Sequence, residues 1–420
     1  MQAAPESAQT YMRAAEVLAY LNVRHQTLYA YVSRGWIRSE KQAGKKYNLY
    51  FREDVERIKA RAAVRAGHGA IAATAMQYGE PIIQTSVTEI GPDGPRYRGY
   101  CAVDLARQNI SFECVAELLW TGHLPDGDVV WRCKTPQADA LRLCDLVSRN
   151  ATRDQFLEIF ALVALTAGMA RGGIAQRRYN GNPLEAAREV LHLLVGCMGY
   201  LSGDRKFTAM RRNESVVEGV LRALGGVASP ENIRAVSAFL VLLADHELAP
   251  GSFSARVAAS SGASLHGCLV SALCTHAGLR VGRVYDMSEQ FLASARSRVG
   301  LMKRLGELRD LGRQVPGFTH RLYPKGDPRA VHLLEVARAR PHRSVRLREF
   351  LAFVEQAQEE LGLHPMIELV LVALCNEMGL PRESGGAMFA LARSAGWVAH
   401  IQEQRLSSTL LRPRAKFTAA

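Results

Sequence analysis

From Ser111 onward, apolar residues return every three to four positions in one run after another: Phe112 to Trp120, Phe156 to Ala170, Leu184 to Met198, Ile233 to Leu243 and Phe350 to Leu361. That period is the turn of an α-helix with one buried face, so a chain with so many such stripes must pack helix on helix. In this long body strand signals are confined to Pro81 to Tyr100, and no solenoid repeat links the helical runs. The expectation is a mainly α globular fold with a small hairpin at its start. With 420 residues, 48% hydrophobic and 22% charged, the chain has room for two or three domains and a large core. Its longest apolar stretch, Ile159 to Ala170, is too short to cross a bilayer, and Met1 to Thr10 lacks the features of a signal peptide. A cytoplasmic protein with no membrane partner is therefore expected.

The eight cysteines form no C-x-x-C pair and no Cys/His spacing suited to zinc; they read as buried, reduced thiols, and no metal site is expected. The net charge of +13 is unevenly spread. Residues 1–65 hold 12 Lys/Arg against 6 Asp/Glu, a net +6 in under a sixth of the length, which invites an anionic partner, nucleic acid first.

In that basic segment Arg13 to Leu21 and His25 to Ser33 read as two short helices broken at Asn22-Val23, with Ala15, Leu18, Leu21, Leu28 and Val32 spaced to share a core. A basic tip at Gly44-Lys45-Lys46 and the run Tyr47 to Phe51 suit a β-hairpin wing, followed by a helix from Arg52 to Arg65. The stretch Tyr11 to Arg61 resembles the winged helix-turn-helix of the MerR and excisionase group, through Ala14-Ala15-Glu16-Val17-Leu18, Thr27-Leu28-Tyr29, Gly35, Ile37 and Phe51-Arg52-Glu53-Asp54-Val55. By that resemblance Arg24, His25, Gln26 and Thr27 open a recognition helix, and Lys45 and Lys46 lie on DNA phosphates. Such units also serve as packing modules, and a Lys-Lys tip is often a solvated turn. DNA binding by this route requires two copies of the chain.

One loop, Val315 to Arg329, carries the clearest polar signal in the body. Gly317, Pro324, Gly326 and Pro328 bend or restrict the backbone around His320, which is how a loop aims a side chain. Gly317-Phe318-Thr319-His320-Arg321-Leu322-Tyr323 and Asp327-Pro328-Arg329-Ala330 resemble motifs of the citrate synthase family. So do Tyr97-Arg98-Gly99-Tyr100, Gly122-His123-Leu124-Pro125, Ala244-Asp245-His246-Glu247 with Arg256, Phe389 to Arg393 with Gly396-Trp397, and Arg412-Pro413-Arg414, all in the family's order. The resemblance implies a citrate synthase-like multi-helix fold with large and small helical subdomains. Residues 1–65 are then the winged helix-turn-helix, 66–77 a linker and 78–420 the citrate synthase-like domain, with its small subdomain at approximately 250–365.

The resemblance also implies a reaction: an acyl-CoA loses an α-proton, the enol attacks the ketone of oxaloacetate or a related 2-oxo acid, and the thioester is hydrolysed. Acyl-CoA is a substrate there, and no cofactor is called for. So weak a carbon acid needs a carboxylate base and a neutral donor at the developing enolate oxygen; the ketone needs a second donor, and the carboxylates call for guanidinium forks. By position, His320 falls on the donor to the ketone and His246 on a histidine that holds the same substrate. Arg329, Arg393 and Arg412 fall on the carboxylate-binding arginines, the last supplied across a homodimer interface.

Two positions depart from the family. Pro365-Met366-Ile367-Glu368-Leu369 stands where the family carries its catalytic aspartate, so Glu368 is a base one methylene longer, or else an ion-pair partner for a nearby arginine. The enol-stabilising histidine of G-P-L-H-G-G-A-N is also missing. Run without gaps from His246, the register puts Val281 there, while His266 lies too early, within a helix; Arg280, Arg283 and His276 are the nearby substitutes. Two functions remain: an acyltransferase with an altered site, or a DNA-binding regulator whose body senses a di- or tricarboxylate without turning it over.

Overall fold

The computed structural model describes residues 11–33, 36–41, 48–52, 54–56, 58–59, 83–132, 138–170, 183–279, 281–407 and 409–413. The expected linker at 66–77, and Lys45 and Lys46, lie outside the described residues. Among those residues no helix is long and apolar enough to cross a membrane.

At the amino end, β1 (Tyr11–Arg13) leads into α1 (Ala14–Leu21), and α2 (His25–Ser33) follows. Asn22 ends α1 in the left-handed conformation that its short polar side chain tolerates, φ 54°, and donates its N–H to Leu18 O. β2 (Ser39–Lys41) and β3 (Asn48–Phe51) pair antiparallel, and β1 takes the other edge of β3, giving the order β1-β3-β2. The strand β1 was not legible in the sequence, since three residues are too few to show an alternation. Met12, Val17, Leu28, Ile37, Tyr50 and Val55 form a separate small core. The expected core positions Leu18, Leu21, Leu28 and Val32 do face it, whereas Ala15 is exposed and Val17 takes the central place. Buried Asp54 clamps the module by accepting from the Arg38 N–H at 3.0 Å and from its guanidinium at 2.8 and 3.2 Å.

The body opens on an antiparallel meander, β4 (Thr88–Gly91), β5 (Gly94–Tyr97) and β6 (Tyr100–Cys101), where the strand signal predicted it. Helices then follow in chain order: α3 (Ala102–Arg107), α4 (Phe112–Thr121), α5 (Ala138–Asn150), α6 (Phe156–Ala170), α7 (Pro183–Cys197) and α8 (Val216–Ala223). After them come α9 (Pro230–Leu243), α10 (Pro250–Ser260), α11 (Leu265–His276), α12 (Val284–Ser294) and α13 (Arg298–Asp310). The chain closes with α14 (Pro328–Arg338), α15 (Val345–Leu361), α16 (Ile367–Glu377) and α17 (Ser384–Leu406). Starts are capped where the sequence provides for it: Ser111, Ser229, Ser264 and Ser344 each accept an N–H from the first turn of their helix.

The 23-residue α17 has almost no exposed residue before its last turn, because α4, α9 and α10 pack around it. It approaches the end of α9 so closely that a Cβ on Gly396 would lie 2.2 Å from Asp245 Oδ1. Asp245, itself buried, meets His400 of α17 at 3.2 Å. These contacts fix Arg393 of α17 beside the segment that carries His246. On the other side, α16 packs against both α12 and α14.

Candidate active site

The His320 loop is shaped by two left-handed residues. At Gly317, φ 77°, a Cβ would stand 2.6 Å from the Leu369 Cβ, so only a bare backbone passes. That approach lets the Met366 N–H donate to Gly317 O at 2.7 Å, tying the loop to the start of α16. Thr319, φ 64°, holds a conformation costly for a β-branched residue, and it turns the chain so that His320 faces inward. The Leu322 N–H donates to His320 Nδ1 at 3.1 Å, so the neutral ring carries its proton on Nε2. Burial, with Arg329 alongside, brings the imidazole down to about 4, so the ring is neutral near pH 7.

Asp327 welds three parts of the site. It caps α14, accepting the Arg329 N–H at 3.1 Å, and holds the Arg329 guanidinium through Nε and Nη2 at 2.9 Å each. It also accepts the Ile367 N–H at 3.2 Å, joining the starts of α14 and α16. Burial would push this carboxyl up and this guanidinium down, but the pair outweighs it: Asp327 lies below its ordinary value and Arg329 above. Arg329 Nη2 then comes to 3.4 Å from His320 Nε2. With Nδ1 already accepting, two donors face each other there, and an oxygen acceptor is the group that suits both.

The second histidine enters from the end of α9. His246 Nε2 lies 3.1 Å from the Tyr323 hydroxyl, and its ring is 5.6 Å from that of His320, nearly perpendicular at 70°. Burial, then Arg329 and Arg393, holds it well below the usual histidine range. Buried Arg393 donates Nε to Leu243 O at 2.9 Å and lies over the Phe389 ring at 4.7 Å. Burial lowers it from its ordinary value, and among the described residues no carboxylate pairs with it. Glu368, second residue of α16, is partly buried, and its sealed Oε2 has no hydrogen-bond partner among the described residues. Burial raises its carboxyl, with Arg329 opposing.

His246, His320, Arg329, Arg393 and Glu368, the residues singled out by the family resemblance, lie within electrostatic reach of one another. Arg412 does not join them: it is exposed on a tail whose preceding N–H, that of Leu411, donates to Ser260 Oγ at 3.1 Å. Ser260 ends α10, an 11-residue helix roughly 16 Å long, whose other end adjoins His246. His266 packs side-on against Gly168 of α6, where a Cβ would lie 2.7 Å away, consistent with a helix-packing residue. Val281 is partly buried in the turn after α11, its N–H on Gly278 O at 3.0 Å; Arg280 lies outside the described residues. Arg283 pairs with Asp286 at 3.3 Å and Glu158 at 3.7 Å.

Sequence reasoning gave no role to Asp327 or Tyr323. For Asp327 a signal was present, an Asp-Pro pair opening a helix, which is an N-cap pattern.

The amino-terminal module touches this site. Glu40 of β2 accepts from Thr319 Oγ1 at 3.1 Å and lies 4.0 Å from buried Arg309 of α13. Its neighbour Tyr11 is raised above the usual phenol range by burial and by Glu40. Of the expected DNA contacts, Arg24, His25 and Gln26 are exposed at the start of α2 and Thr27 is half-buried.

A body of packed helices whose interior brings two neutral histidines and two guanidiniums together defines a helical protein suited to a small carboxylate ligand. The chain belongs to the citrate synthase family: residues 77–414 match the family described as "Citrate synthase, C-terminal domain". Members of that family use acyl-CoA as a substrate and need no cofactor; among the described residues no cluster of His, Cys, Asp and Glu could hold a metal. A similar relative is citrate synthase 2 of Bacillus subtilis, 25% identical over 80% of this chain and 92% of its own. Others are the citrate synthase of Haloferax volcanii, 28% identical over 77% and 89%, and 2-methylcitrate synthase 2 of Corynebacterium glutamicum, 24% over 81% and 93%. Among solved structures, the Thermoplasma acidophilum citrate synthase, in ternary complex with carboxymethyl coenzyme A and oxaloacetate, covers 83% of this chain and 96% of its own at a TM-score of 0.68 and 19% identity. The Thermotoga maritima enzyme gives 0.66 and 23% over the same shares. The family match begins at residue 77, so the amino-terminal module lies outside it.

Proposed function

We propose that the protein condenses a short acyl-CoA with oxaloacetate or a related 2-oxo acid. The observation that carries this reading is the 3.4 Å approach of His320 Nε2 and Arg329 Nη2, two donors converging where a ketone and its neighbouring carboxylate supply acceptors. His246 and Arg393 extend the same anion-binding half of the site, and Arg412 completes it from the second subunit of a homodimer. Glu368 is the base: raised by burial with Arg329 opposing, it removes the α-proton of the thioester. His320, neutral at pH 7, donates to the ketone oxygen as charge develops there. Thiol release from acetyl-CoA or propionyl-CoA with oxaloacetate tests this. Turnover that falls by roughly 10²–10³ in His320→Ala supports it, and no turnover with any short acyl-CoA sinks it.

A second reading is favoured by one observation, the seat of Glu40 on Thr319, next to His320. The two-helix, three-stranded module then acts as a winged helix-turn-helix that contacts DNA through Arg24, His25, Gln26, Thr27, Lys45 and Lys46, with the carboxylate site as its sensor. Binding to DNA near the protein's own promoter at two salt concentrations separates the cases. Affinity that is insensitive to salt, and unchanged in a Lys45→Ala/Lys46→Ala double variant, removes phosphate contact from the account.

A further inference from the structure

The condensation proposed above requires a neutral donor at the thioester oxygen, and Val281, at the position where the family resemblance places that group, has no hydrogen to give. A donor must then come from another residue on the Glu368 side of the site.

Four buried polar atoms in one neighbourhood have no hydrogen-bond partner among the described residues: Tyr285 Oη, His276 Nε2, Glu368 Oε2 and Trp397 Nε1. Ring contacts join three of them through Phe389, and Glu368 acts electrostatically on Tyr285. Tyr285 lies 5.0 Å from Phe389; Phe389 stacks on His276 at 4.7 Å; His276 meets Trp397 at 5.7 Å. The Arg393 guanidinium covers the same Phe389 ring at 4.7 Å. A buried polar group without a partner forfeits its hydration with nothing in return, so native interiors leave few such groups unpaired. Four together, the Tyr285 hydroxyl and the Trp397 N–H beside a Glu368 oxygen and a His276 nitrogen, mark a region shaped for a polar ligand.

Tyr285 is the donor best situated. It is the second residue of α12, which packs against α16, the helix that carries Glu368 in its first turn, and against α17, which carries Arg393. Only 2% exposed, its hydroxyl lies within electrostatic reach of Glu368, Arg393, Arg329 and Asp327, so it belongs to the acid–base side of the site. Burial keeps the phenol far above its usual range, so it remains O–H at every working pH. His276 feels Arg393 alone among these charges, and burial takes it down to about 3. Arg283 is turned toward Asp286 and Glu158.

We infer that Tyr285 is the residue that hydrogen-bonds the thioester carbonyl oxygen of the acyl-CoA and stabilises its enol, in place of the histidine that Val281 replaces. In this step the α-C–H bond breaks, its proton goes to the Glu368 carboxylate, and the electron pair forms the new C=C bond. The carbonyl π pair moves to oxygen, where the Tyr285 O–H meets it. The enolate carbon then attacks the ketone carbon of the oxo acid: the C=C pair forms the new C–C bond, the thioester carbonyl re-forms, and the ketone π pair moves to its oxygen, where the His320 Nε2–H hydrogen-bonds it.

The test compares wild type with Tyr285→Phe, which keeps the ring against Phe389, and with Tyr285→Met, which keeps most of the volume should the first fold poorly. Two readouts are needed: kcat and KM for thiol release, and exchange of the acyl α-protons into deuterated solvent when a non-reacting oxo-acid analogue fills the other half of the site. Loss of about 10²–10³ in kcat and in exchange rate is expected, with KM for the oxo acid within about threefold. Equal exchange rates in wild type and Tyr285→Phe would overturn the proposal, as would an undiminished Tyr285→Phe beside a dead His276→Phe, which moves the role to His276. A wild type that neither turns over nor exchanges overturns the proposed condensation itself, a failure visible before any variant is made.

Discussion

Replacing Asp327 by asparagine keeps the shape of the side chain and removes the charge that four donors converge on. Its two oxygens accept the Arg329 N–H at 3.1 Å, Arg329 Nε and Nη2 at 2.9 Å each, and the Ile367 N–H at 3.2 Å. An amide offers one accepting oxygen, so the two donors on the other side face an NH2 group, and the buried guanidinium loses its counter-charge. Breaking one partner out of a buried ion pair costs about 3–5 kcal/mol. That is a large part of a typical stability of roughly 5–15 kcal/mol. Urea unfolding at pH 7, followed by the fluorescence of the buried Trp120, Trp131 and Trp397, should show a loss of that size at unchanged m value. The pH dependence gives a second handle. The folded Asp327 lies below its ordinary value, so its contribution is fully present above the unfolded carboxyl pKa of about 3.9 and fades only as pH falls through the lower folded value. Wild-type and variant curves should run parallel from pH 8 to 5 and meet only below about pH 4. A difference under about 1 kcal/mol at pH 7, or curves that meet above pH 5, would refute the reasoning.

The remaining predictions concern the loop, the proposed base and the carboxyl groups. Gly317→Ala must take a Cβ to within 2.6 Å of Leu369 at φ 77°, so a loss of about 2–4 kcal/mol in denaturant unfolding is expected, with a fall in oxo-acid affinity as His320 shifts. Glu368→Gln should cut turnover by at least about 10²-fold while calorimetry shows oxaloacetate binding little changed, because in the proposed condensation Glu368 serves the acyl half. With His320 brought down to about 4 and His246 held well below its usual range, kcat/KM for the oxo acid should show no histidine inflection between pH 5 and 8; an inflection near 6.5 contradicts the neutral-donor assignment. Glu383 is pushed up to about 8 by burial and by Asp286 beside it, so the folded chain keeps a proton that the unfolded chain has released, and wild-type stability declines as pH rises from about 5 to 8. Glu383→Gln mimics the protonated form; its stability advantage in thermal melts should therefore grow across that window.

The helical fold was legible because period is a property of neighbours in sequence: α4, α6, α7, α9 and α15 emerge within a few residues of their apolar runs. The small module shows where that stops, since β1 is paired by β3 some 37 residues later and carries no periodic mark of its own. In the site, His246, His320, Arg329, Arg393 and Glu368 were found through motifs whose order survives. Asp327 was quoted yet given no role, because its partners Arg329 and Ile367 reveal themselves only when α14 and α16 meet. Tyr285 was invisible in a stronger sense. A tyrosine at the start of a helix looks like any core residue until the hydroxyl is found sealed and unpaired beside Glu368 and Arg393.

The seat of Glu40 on Thr319 carries an obligation that runs both ways. Thr319 holds a strained backbone one residue before His320, so whatever steadies it steadies the donor. A hydrogen bond to a charged group is worth about 1.5–3 kcal/mol, which bounds the leverage at roughly 10- to 150-fold. By reciprocity, a ligand that firms the His320 loop must tighten the grip of the module by the same factor that the module tightens the ligand. Tyr11 and Glu40 would then act as a lever arm: a partner that lifted the amino-terminal module away would be felt as a weaker hold on a carboxylate bound at His320.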